Sequence, residues 1–423
     1  MKIEGYKNRV LDRKIKLYLE NFGAVCIEGP KWCGKTWSSR MNANSQYLMA
    51  DPQGNFQNKK LAELDPSFVL KGEYPRLIDE WQEVPVIWDA VRFEVDSINE
   101  KGLFILTGSS TPNYKGVLHS GAGRIGRIKM RPMSLYETSE SSGEVSLLDL
   151  FTRKCKSCMA KDITIQDIAK MIIRGGWPAA NNQSLNSPII ALEYINAIIE
   201  NDTQRVGNRS KDKNKLKLLL KSLARNEATT VSNNTIRKDI SLFDEDSIDK
   251  DTISSYLEDF KNLFLIDNLQ PFSPNVRSSL RVKQQEKRRF VDPSLACAVL
   301  NLTSDQLIFD LKTLGFLFES LCERDLLIYA DANQGKVYHY QDYDNDEIDA
   351  IIEMPNGEWG AFEIKLGANQ IDAAAKNLLN IKDKFVAKGL PTPTIMGVIC
   401  GLSNAFYERA DGIYVIPITV LKD

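Results

Sequence analysis

Near the N-terminus, Gly29-Pro30-Lys31-Trp32-Cys33-Gly34-Lys35-Thr36 satisfies the pattern G-x-x-x-x-G-K-[ST], and Trp37 follows it directly. Glycines in such a loop let successive backbone N–H groups curl around phosphate oxygens without Cβ clashes. A helix leaving the loop adds its positive N-terminal end. A lysine at this position reaches the β- and γ-phosphates, and the next hydroxyl suits Mg²⁺, a hard cation that prefers oxygen ligands. The spacing therefore predicts ATP and Mg²⁺ held by residues 29–37, with Lys35 on the outer phosphates and Thr36 on the metal.

Two later segments carry groups that complete such a site. The apolar run Arg76-Leu77-Ile78 ends in Asp79-Glu80. Asp79 is placed to hold the Mg²⁺ shell and Glu80 to polarise the attacking water. The run Phe104-Ile105-Leu106 ends in Thr107-Gly108-Ser109-Ser110. If both runs are parallel strands beside the one entering the loop, their ends meet on one edge, and Thr107 or Ser109 approaches the γ-phosphate. Beyond them, Gly121-Ala122-Gly123-Arg124-Ile125-Gly126-Arg127 supplies two guanidinium groups. Arg124 or Arg127 can meet developing phosphate charge, and either can equally be a surface salt-bridge residue.

A second constellation lies near the C-terminus. Residues 347–352 and 359–365 read as strands joined through Pro355-Asn356-Gly357, a strong hairpin signal. A turn centred on Asn356 places Asp349 opposite Glu363, with Lys365 on the same face. Two carboxylates and a lysine can hold a divalent cation and steady a water for phosphodiester hydrolysis. On that reading Asp349 and Glu363 are metal ligands and Lys365 is catalytic. The alternative is a cross-strand ion cluster on an inactive scaffold.

These residues need elements to position them. With 423 residues, the chain is expected to form roughly two to four domains. Its 43% hydrophobic and 26% charged content, at a net charge of -2, excludes a disordered or uniformly basic protein. Residues 1–140 alternate apolar runs with helical patterns, which predicts a parallel α/β sheet. Residues 141–201 read as helices broken at Gly175, Gly176 and Pro178. Residues 202–305 read as helices near 216–223 and 235–243, a third that Asp251 would cap, and a ribbon over 264–290, an order that suggests a winged helix. Residues 306–423 open with a helix around 314–326 and continue in strands.

Basic residues cluster in 203–225 and on the ribbon, at Arg277, Arg281, Lys283, Lys287, Arg288 and Arg289, which makes double-stranded DNA a candidate partner. A charged start and the lack of a run near 20 apolar residues predict a cytoplasmic protein with no membrane partner. The seven cysteines read as reduced thiols, and Cys155 and Cys158, with His119 and His339 as the only histidines, as free thiols.

In order and spacing, Leu77-Ile78-Asp79-Glu80-Trp81-Gln82, Leu106-Thr107-Gly108-Ser109-Ser110, and Gly123-Arg124 followed by Arg131-Pro132-Met133-Ser134-Leu135-Tyr136-Glu137 resemble the AAA+ superfamily. More narrowly, the chain is similar to prokaryotic AAA-type ATPases that carry a C-terminal nuclease-like domain. The resemblance implies a P-loop NTPase parallel sheet, an α-helical and winged-helix region, and a C-terminal α/β nuclease-like domain. It implies Walker A roles for Lys35 and Thr36, Walker B roles for Asp79 and Glu80, a sensor segment at 107–110, and an arginine at Arg124 acting in its own or a neighbour's site. Homo-oligomers are allowed by it.

The C-terminal set is similar to the PD-(D/E)xK nucleases, with Glu319 matching their helical acid, although no proline precedes Asp349. Two functions are therefore expected as alternatives. One is ATP hydrolysis coupled to DNA binding or metal-dependent DNA cleavage. The other is a nucleotide-gated DNA- or protein-binding module with an inactive nuclease-like end.

Overall fold

The computed structural model describes residues 5–110, 117–181, 187–203, 211–241, 248–275, 284–344 and 346–423. Strand alternation decides the architecture of the first unit. In β1 (Ala24–Glu28), Ala24 and Cys26 enter one apolar cluster, while Val25 and Ile27 enter another on the opposite face. A strand buried on both faces needs a covered, parallel sheet. β1 is followed by α2 (Lys35–Met41), β2 (Ser45–Leu48), α3 (Gln53–Leu64), α4 (Ser67–Leu70), β3 (Arg76–Asp79), α5 (Val86–Ile98), β4 (Phe104–Gly108) and β5 (Ile125–Lys129), with α1 (Asp12–Asn21) before it. The five strands run parallel in the order β2-β3-β4-β1-β5.

Register fixes what reaches the edge. Ile27 of β1 stands beside Thr107 of β4, and Ile78 of β3 stands beside Leu106. The loop after β1, the acids after β3 and the hydroxyls ending β4 therefore emerge together, as the alternating pattern predicts. On one face, Ile87, Trp88, Val91 and Val95 of α5 pack on Cys26, Ile78, Phe104 and Leu106. Trp81, 1% exposed and next in sequence after Asp79-Glu80, lies 4.8 Å from Trp88 between ring centroids.

The chain divides into two compact units, the first built mainly up to Pro132 and the second mainly from Met133 onward. Most of the expected segments 141–201, 202–305 and 306–423 fall in the second unit, with 201–210 and 258–265 in the first. The break falls before 140 because Met133 N–H donates to the Gly176 carbonyl at 2.6 Å and Leu135 N–H to Asp325 Oδ2 at 2.8 Å. Within this second unit, β6 (Val145–Ser146), α6 (Leu147–Phe151), β7 (Cys158–Met159), α7 (Ile165–Arg174) and α8 (Ser187–Ala197) come first. Next along the chain come α9 (Lys213–Arg225), α10 (Asn233–Ser241), α11 (Lys250–Asn262), whose end from Glu258 belongs to the first unit, and β8 (Gln270–Pro271). The helix start is capped by Asp249, whose carboxylate accepts from Thr252 N–H at 2.6 Å, and not by the expected Asp251. The expected ribbon is present as antiparallel bridges Thr229–Arg288, Ile266–Phe290 and Leu269–Lys287; Arg277, Arg281 and Lys283 lie outside the described residues.

After α12 (Pro293–Val299) and α13 (Ser304–Phe309), α14 (Leu311–Ala332) leads into β9 (Lys336–Gln341), β10 (Glu347–Glu353), β11 (Trp359–Lys365), α15 (Ile371–Ala387), β12 (Ile395–Cys400), β13 (Ala405–Glu408), β14 (Tyr414–Pro417) and β15 (Leu421–Lys422). A mixed eight-stranded sheet runs β7-β13-β14-β12-β11-β10-β9-β8. Ile371, Ala375, Leu378 and Phe385 of α15 share an apolar cluster with Ile351, Ala361, Val398 and Val415 of the sheet. The molecule is a mixed α/β protein with a P-loop parallel sheet, a helical region and a C-terminal α/β region.

Trp81→Ala is expected to lower stability by about 3–5 kcal/mol, the usual range for emptying a large aromatic site. Denaturant unfolding monitored by fluorescence of the remaining tryptophans measures it, and an unchanged midpoint would show that the ring does not brace the acid strand.

Candidate functional site

Backbone shape makes the loop after β1 a cradle. Gly34 has φ 103° and Trp32 φ 63°, both in the left-handed region, so the N–H groups turn inward. At Gly29, a Cβ would lie 2.1 Å from the Met130 carbonyl oxygen, so only glycine lets the loop pass under the chain leaving β5. Lys35, almost wholly buried, donates from Nζ to the carbonyls of Gly29 at 2.9 Å and Pro30 at 2.8 Å. Its ammonium is thus aimed along the inside of the loop. Cys33 is buried, whereas Trp32 and Trp37 are exposed beside it.

At Asp79 the ends of β3 and β4 meet the start of α2. Asp79 Oδ1 accepts from the Thr36 hydroxyl at 2.9 Å and from the Thr107 hydroxyl at 2.6 Å. Thr107 Oγ1 in turn accepts from the Glu80 N–H at 3.0 Å, which holds Glu80 at φ 56°. A non-glycine residue in that region stores of order 1–3 kcal/mol and persists only where its surroundings fix it. The Glu80 carboxylate accepts from Ser109 Oγ at 2.8 Å and from the amide of Gln82, so its direction is set as well. Thr36 and Asp79 offer adjacent hard oxygens of the kind Mg²⁺ takes, and this donor set fits the metal.

The two arginines sit elsewhere. Ala24 N–H donates to the Arg124 carbonyl at 3.1 Å, so Arg124 lies where β1 begins. The phosphate loop leaves the other end, about 16 Å of strand away. The Arg124 side chain pairs with Asp96 at 2.8 Å. Arg124 thus lies away from the phosphate loop of its own chain, in the surface salt bridge that was the stated alternative. Arg127 donates to Glu28 Oε1 at 2.8 Å and lies 4.6 Å over the Trp88 ring. Burial raises the Glu28 carboxyl, and Arg127 opposes that shift.

In the C-terminal unit, the β10–β11 register pairs Ala350 with Phe362 and Glu353 with Trp359. Continuing it by one step puts Asp349 opposite Glu363, as the hairpin reading expects. Lys365 Nζ lies between them, 2.9 Å from Asp349 Oδ2 and 2.6 Å from Glu363 Oε2. Asp349 Oδ2 also accepts from Ile364 N–H at 2.7 Å, and Glu363 Oε1 from Asn377 Nδ2 at 2.9 Å. Burial, with the Asp349 charge nearby, pushes Glu363 up to about 7. Glu319 is engaged by a different cation, the ammonium of Lys287. Among the described residues, no three or more His, Cys, Asp or Glu side chains form a group that could hold a metal ion. An ammonium thus stands between the carboxylates of Asp349 and Glu363.

Three of the ribbon's basic residues also depart from expectation. Lys287 is 1%, Arg288 8% and Arg289 2% exposed. Arg288 donates to Asn233 Oδ1 at 3.0 Å, and Arg289 to the carbonyls of Asp267 and Ser320 at 3.1 Å each. Charged groups buried in this way serve internal partners, so these residues do not present charge to DNA phosphates.

Residues 21–139 match the family model described as AAA domain. That stretch is a P-loop domain of the AAA type. Two further models match, each described as a domain of unknown function: DUF8612 over residues 165–306 and DUF4143 over residues 314–421. The chain is 21% identical over 357 residues, 83% of its length, to the uncharacterized proteins Mb2031c of Mycobacterium bovis and Rv2008c of Mycobacterium tuberculosis, covering 72% of each. Among solved structures, the Walker-type ATPase PABY2304 of Pyrococcus abyssi is similar at 16% identity and a TM-score of 0.45, over 71% of this chain and 97% of that one. Among the described residues, no helix is long and apolar enough to cross a membrane.

Sequence reasoning missed the residue that ties down the loop of the AAA domain. Arg9, buried ahead of α1, donates to the Cys33 carbonyl at 2.7 Å and to the Arg131 carbonyl at 2.9 Å, bridging the loop to the segment after β5. Tyr6 reinforces that segment through Asp12 and Ser38. No local motif marks an arginine whose partners are 24 and 122 residues away. Gln82, two residues from Glu80, and Asn377, fourteen from Glu363, orient those two acids and were also missed.

Arg9→Ala leaves two buried carbonyls without their charged donor, so stability is expected to fall by about 1.5–3 kcal/mol per the usual range for such bonds. ATP affinity should fall with it, because the loop loses its brace. Calorimetric titration with ATP beside thermal unfolding checks both; an unchanged affinity would show that the loop holds its shape without Arg9.

Proposed function

We propose that the AAA domain binds ATP with Mg²⁺ and hydrolyses it. The observation that carries this reading is the convergence of Thr36 and Thr107 on one oxygen of Asp79, beside a loop with Lys35 aimed along it. Loop amides and Lys35 hold the phosphates, and Thr36 and Asp79 hold the metal. Mg²⁺, when bound, neutralises charge on the outer phosphate oxygens. Glu80 accepts a proton from the attacking water, while Ser109 and Gln82 keep its carboxylate directed. Thr107 fixes both Asp79 and the Glu80 backbone and so acts as a positioning residue.

Lys35→Ala is expected to abolish ATP binding. Glu80→Gln should bind ATP normally and turn over about 10²–10⁴-fold more slowly, the range for losing a positioned general base. Phosphate release beside a nucleotide-binding titration separates the two, and a Glu80→Gln rate equal to wild type removes Glu80 from the reaction.

For the second unit, the captive ammonium groups favour a nucleotide-gated binding module over a nuclease. If the helices before the ribbon form a winged helix, DNA meets the unit through α9 and not through the buried arginines. Lys213, Lys217, Lys221 and Arg225 recur every four residues and are all exposed, although Lys213 pairs with Glu200 and Arg225 with Asp239. Such a stripe suits sequence-independent phosphate contact.

Wild-type protein should bind double-stranded DNA in a salt-dependent manner, and Lys217→Glu with Lys221→Glu should lower the logarithmic salt slope by about 2. Fluorescence anisotropy across a salt series measures this. Salt-independent binding, or an unaltered slope, eliminates α9 as the contact. Metal-dependent cutting of labelled DNA that disappears in Asp349→Ala would instead restore the nuclease reading.

A further inference from the structure

Of the six tryptophans, Trp81, Trp88, Trp177 and Trp359 are each at most 5% exposed. The other two are Trp32, 55% exposed, and Trp37, 46% exposed, and both belong to the phosphate-loop stretch 29–37. Tryptophan is mostly buried in folded proteins, and large aromatic rings left in water mark ligand or partner surfaces. The protein thus buries its indoles everywhere except around the loop.

Helix phase sets the direction of Trp37. In α2 the Thr36 hydroxyl is 2.9 Å from Asp79 Oδ1, the Ser38 hydroxyl is 2.9 Å from the Tyr6 hydroxyl, and Ser39 is wholly buried. At about 100° per residue, position 37 falls between Thr36 and Ser38 and nearly opposite Ser39, so its indole stands on the outer side of the first turn. Trp32 is placed by the loop itself. Its φ of 63° lies in the left-handed region, where a bulky residue is an outlier, and such conformations gather at ligand clamps. Around that turn Cys33 is buried while Trp32 remains in water.

A nucleoside triphosphate has two ends of unlike chemistry. Loop amides, Lys35 and Thr36 take the charged end, as proposed above, and the assignment of the other end rests on that reading. The base leaves the cradle through the ribose and presents a flat, largely apolar face. Residues 29–37 contain Lys31 and Lys35 and no carboxylate, so their polar groups suit phosphate and their two indoles suit the base. We propose that Trp32 and Trp37 form the nucleobase platform, on which the base stacks at the mouth of the loop. Stacking needs only a π-face and strengthens with ring size, so the platform favours purines and does not tell adenine from guanine. The substrate class is a purine nucleoside triphosphate.

Calorimetric titration of the full chain with ATP, GTP and inorganic tripolyphosphate, each with Mg²⁺, reads what the base adds. Wild type is expected to bind ATP and GTP alike, both roughly 5- to 150-fold more tightly than tripolyphosphate, the effect of one base on an aromatic ring. Trp32→Ala with Trp37→Ala should bring ATP down to the affinity of tripolyphosphate while tripolyphosphate binds as before, whereas a merely structural role would lower both. Trp32→Phe with Trp37→Phe should restore part of the gap.

Acrylamide quenching of wild-type fluorescence tests the same point without a variant, because two of the six indoles stand in water. ATP with Mg²⁺ should shield them, and tripolyphosphate with Mg²⁺ should not. The proposal is overturned if ATP gives no shielding, if wild type binds ATP no better than tripolyphosphate, or if ATP affinity survives loss of both rings; the phosphate reading then still stands. A strong preference for one purine also overturns it, since an indole face reads neither base edge. Failure to bind tripolyphosphate and ATP alike removes the phosphate reading and the platform with it.

Discussion

One carboxylate oxygen organises the N-terminal unit. Asp79 Oδ1 accepts from Thr36 and from Thr107, so groups from α2, β3 and β4 are held within hydrogen-bond distance of one atom. Such convergence requires adjacent parallel strands ending level, and the level ending requires β4 to lie between β1 and β3. The apolar alternation of β1, β3 and β4 supplies that order by burying both faces. Site geometry is therefore a consequence of core packing, with the buried Trp81 and Trp88 in ring contact just after the acids. Preorganisation of this kind spares the site reorganisation when phosphate charge develops.

The second unit handles carboxylates in the opposite manner. In the first, the acids stand at an open strand edge and are oriented by hydroxyls and an amide. In the second, Glu319, Glu323, Asp349 and Glu363 are withdrawn from water and matched with Lys287, Lys365 and Arg289. Removing one partner from such a set exposes an uncompensated buried charge, which destabilises by about 3–5 kcal/mol in comparable cases. Each ammonium is thereby locked to its acids. The same residue types that could recruit a divalent ion instead hold the ribbon to α14 and β10.

Legibility in the sequence follows the range of the interaction. The loop pattern, the three apolar runs and the Asn356-Gly357 turn are local, and each was placed within a residue or two; the opposition of Asp349 and Glu363 followed from the turn alone. Partners distant along the chain were not legible. Arg9 was unremarkable, because its acceptors come from the phosphate loop and from beyond β5. Lys287, Arg288 and Arg289 read as part of a basic cluster open to DNA, yet acids 32 or more residues later draw Lys287 inward. Arg124 was left open between phosphate contact and a surface salt bridge, because the pattern fixes that β5 follows the sensor strand but not which end of β5 points at the loop. Register with β1 settles that point, pairing Ala24 with Ile125.

Charge balance explains how the C-terminal cluster resists a metal. Burial works to raise Asp349, but the ammonium groups of Lys365 and Lys287 outweigh it and hold that carboxyl below its ordinary range. Glu363 is pushed up to about 7 and Glu319 is raised as well, both chiefly by burial. Burial also pulls the Lys287 ammonium down, and Glu319, Glu323 and Asp349 more than restore it. Near neutral pH the cluster thus keeps its two lysines charged while at least one of its acids resists ionisation. A divalent ion entering would have to expel an ammonium tethered by backbone hydrogen bonds and also draw protons from Glu319 and Glu363.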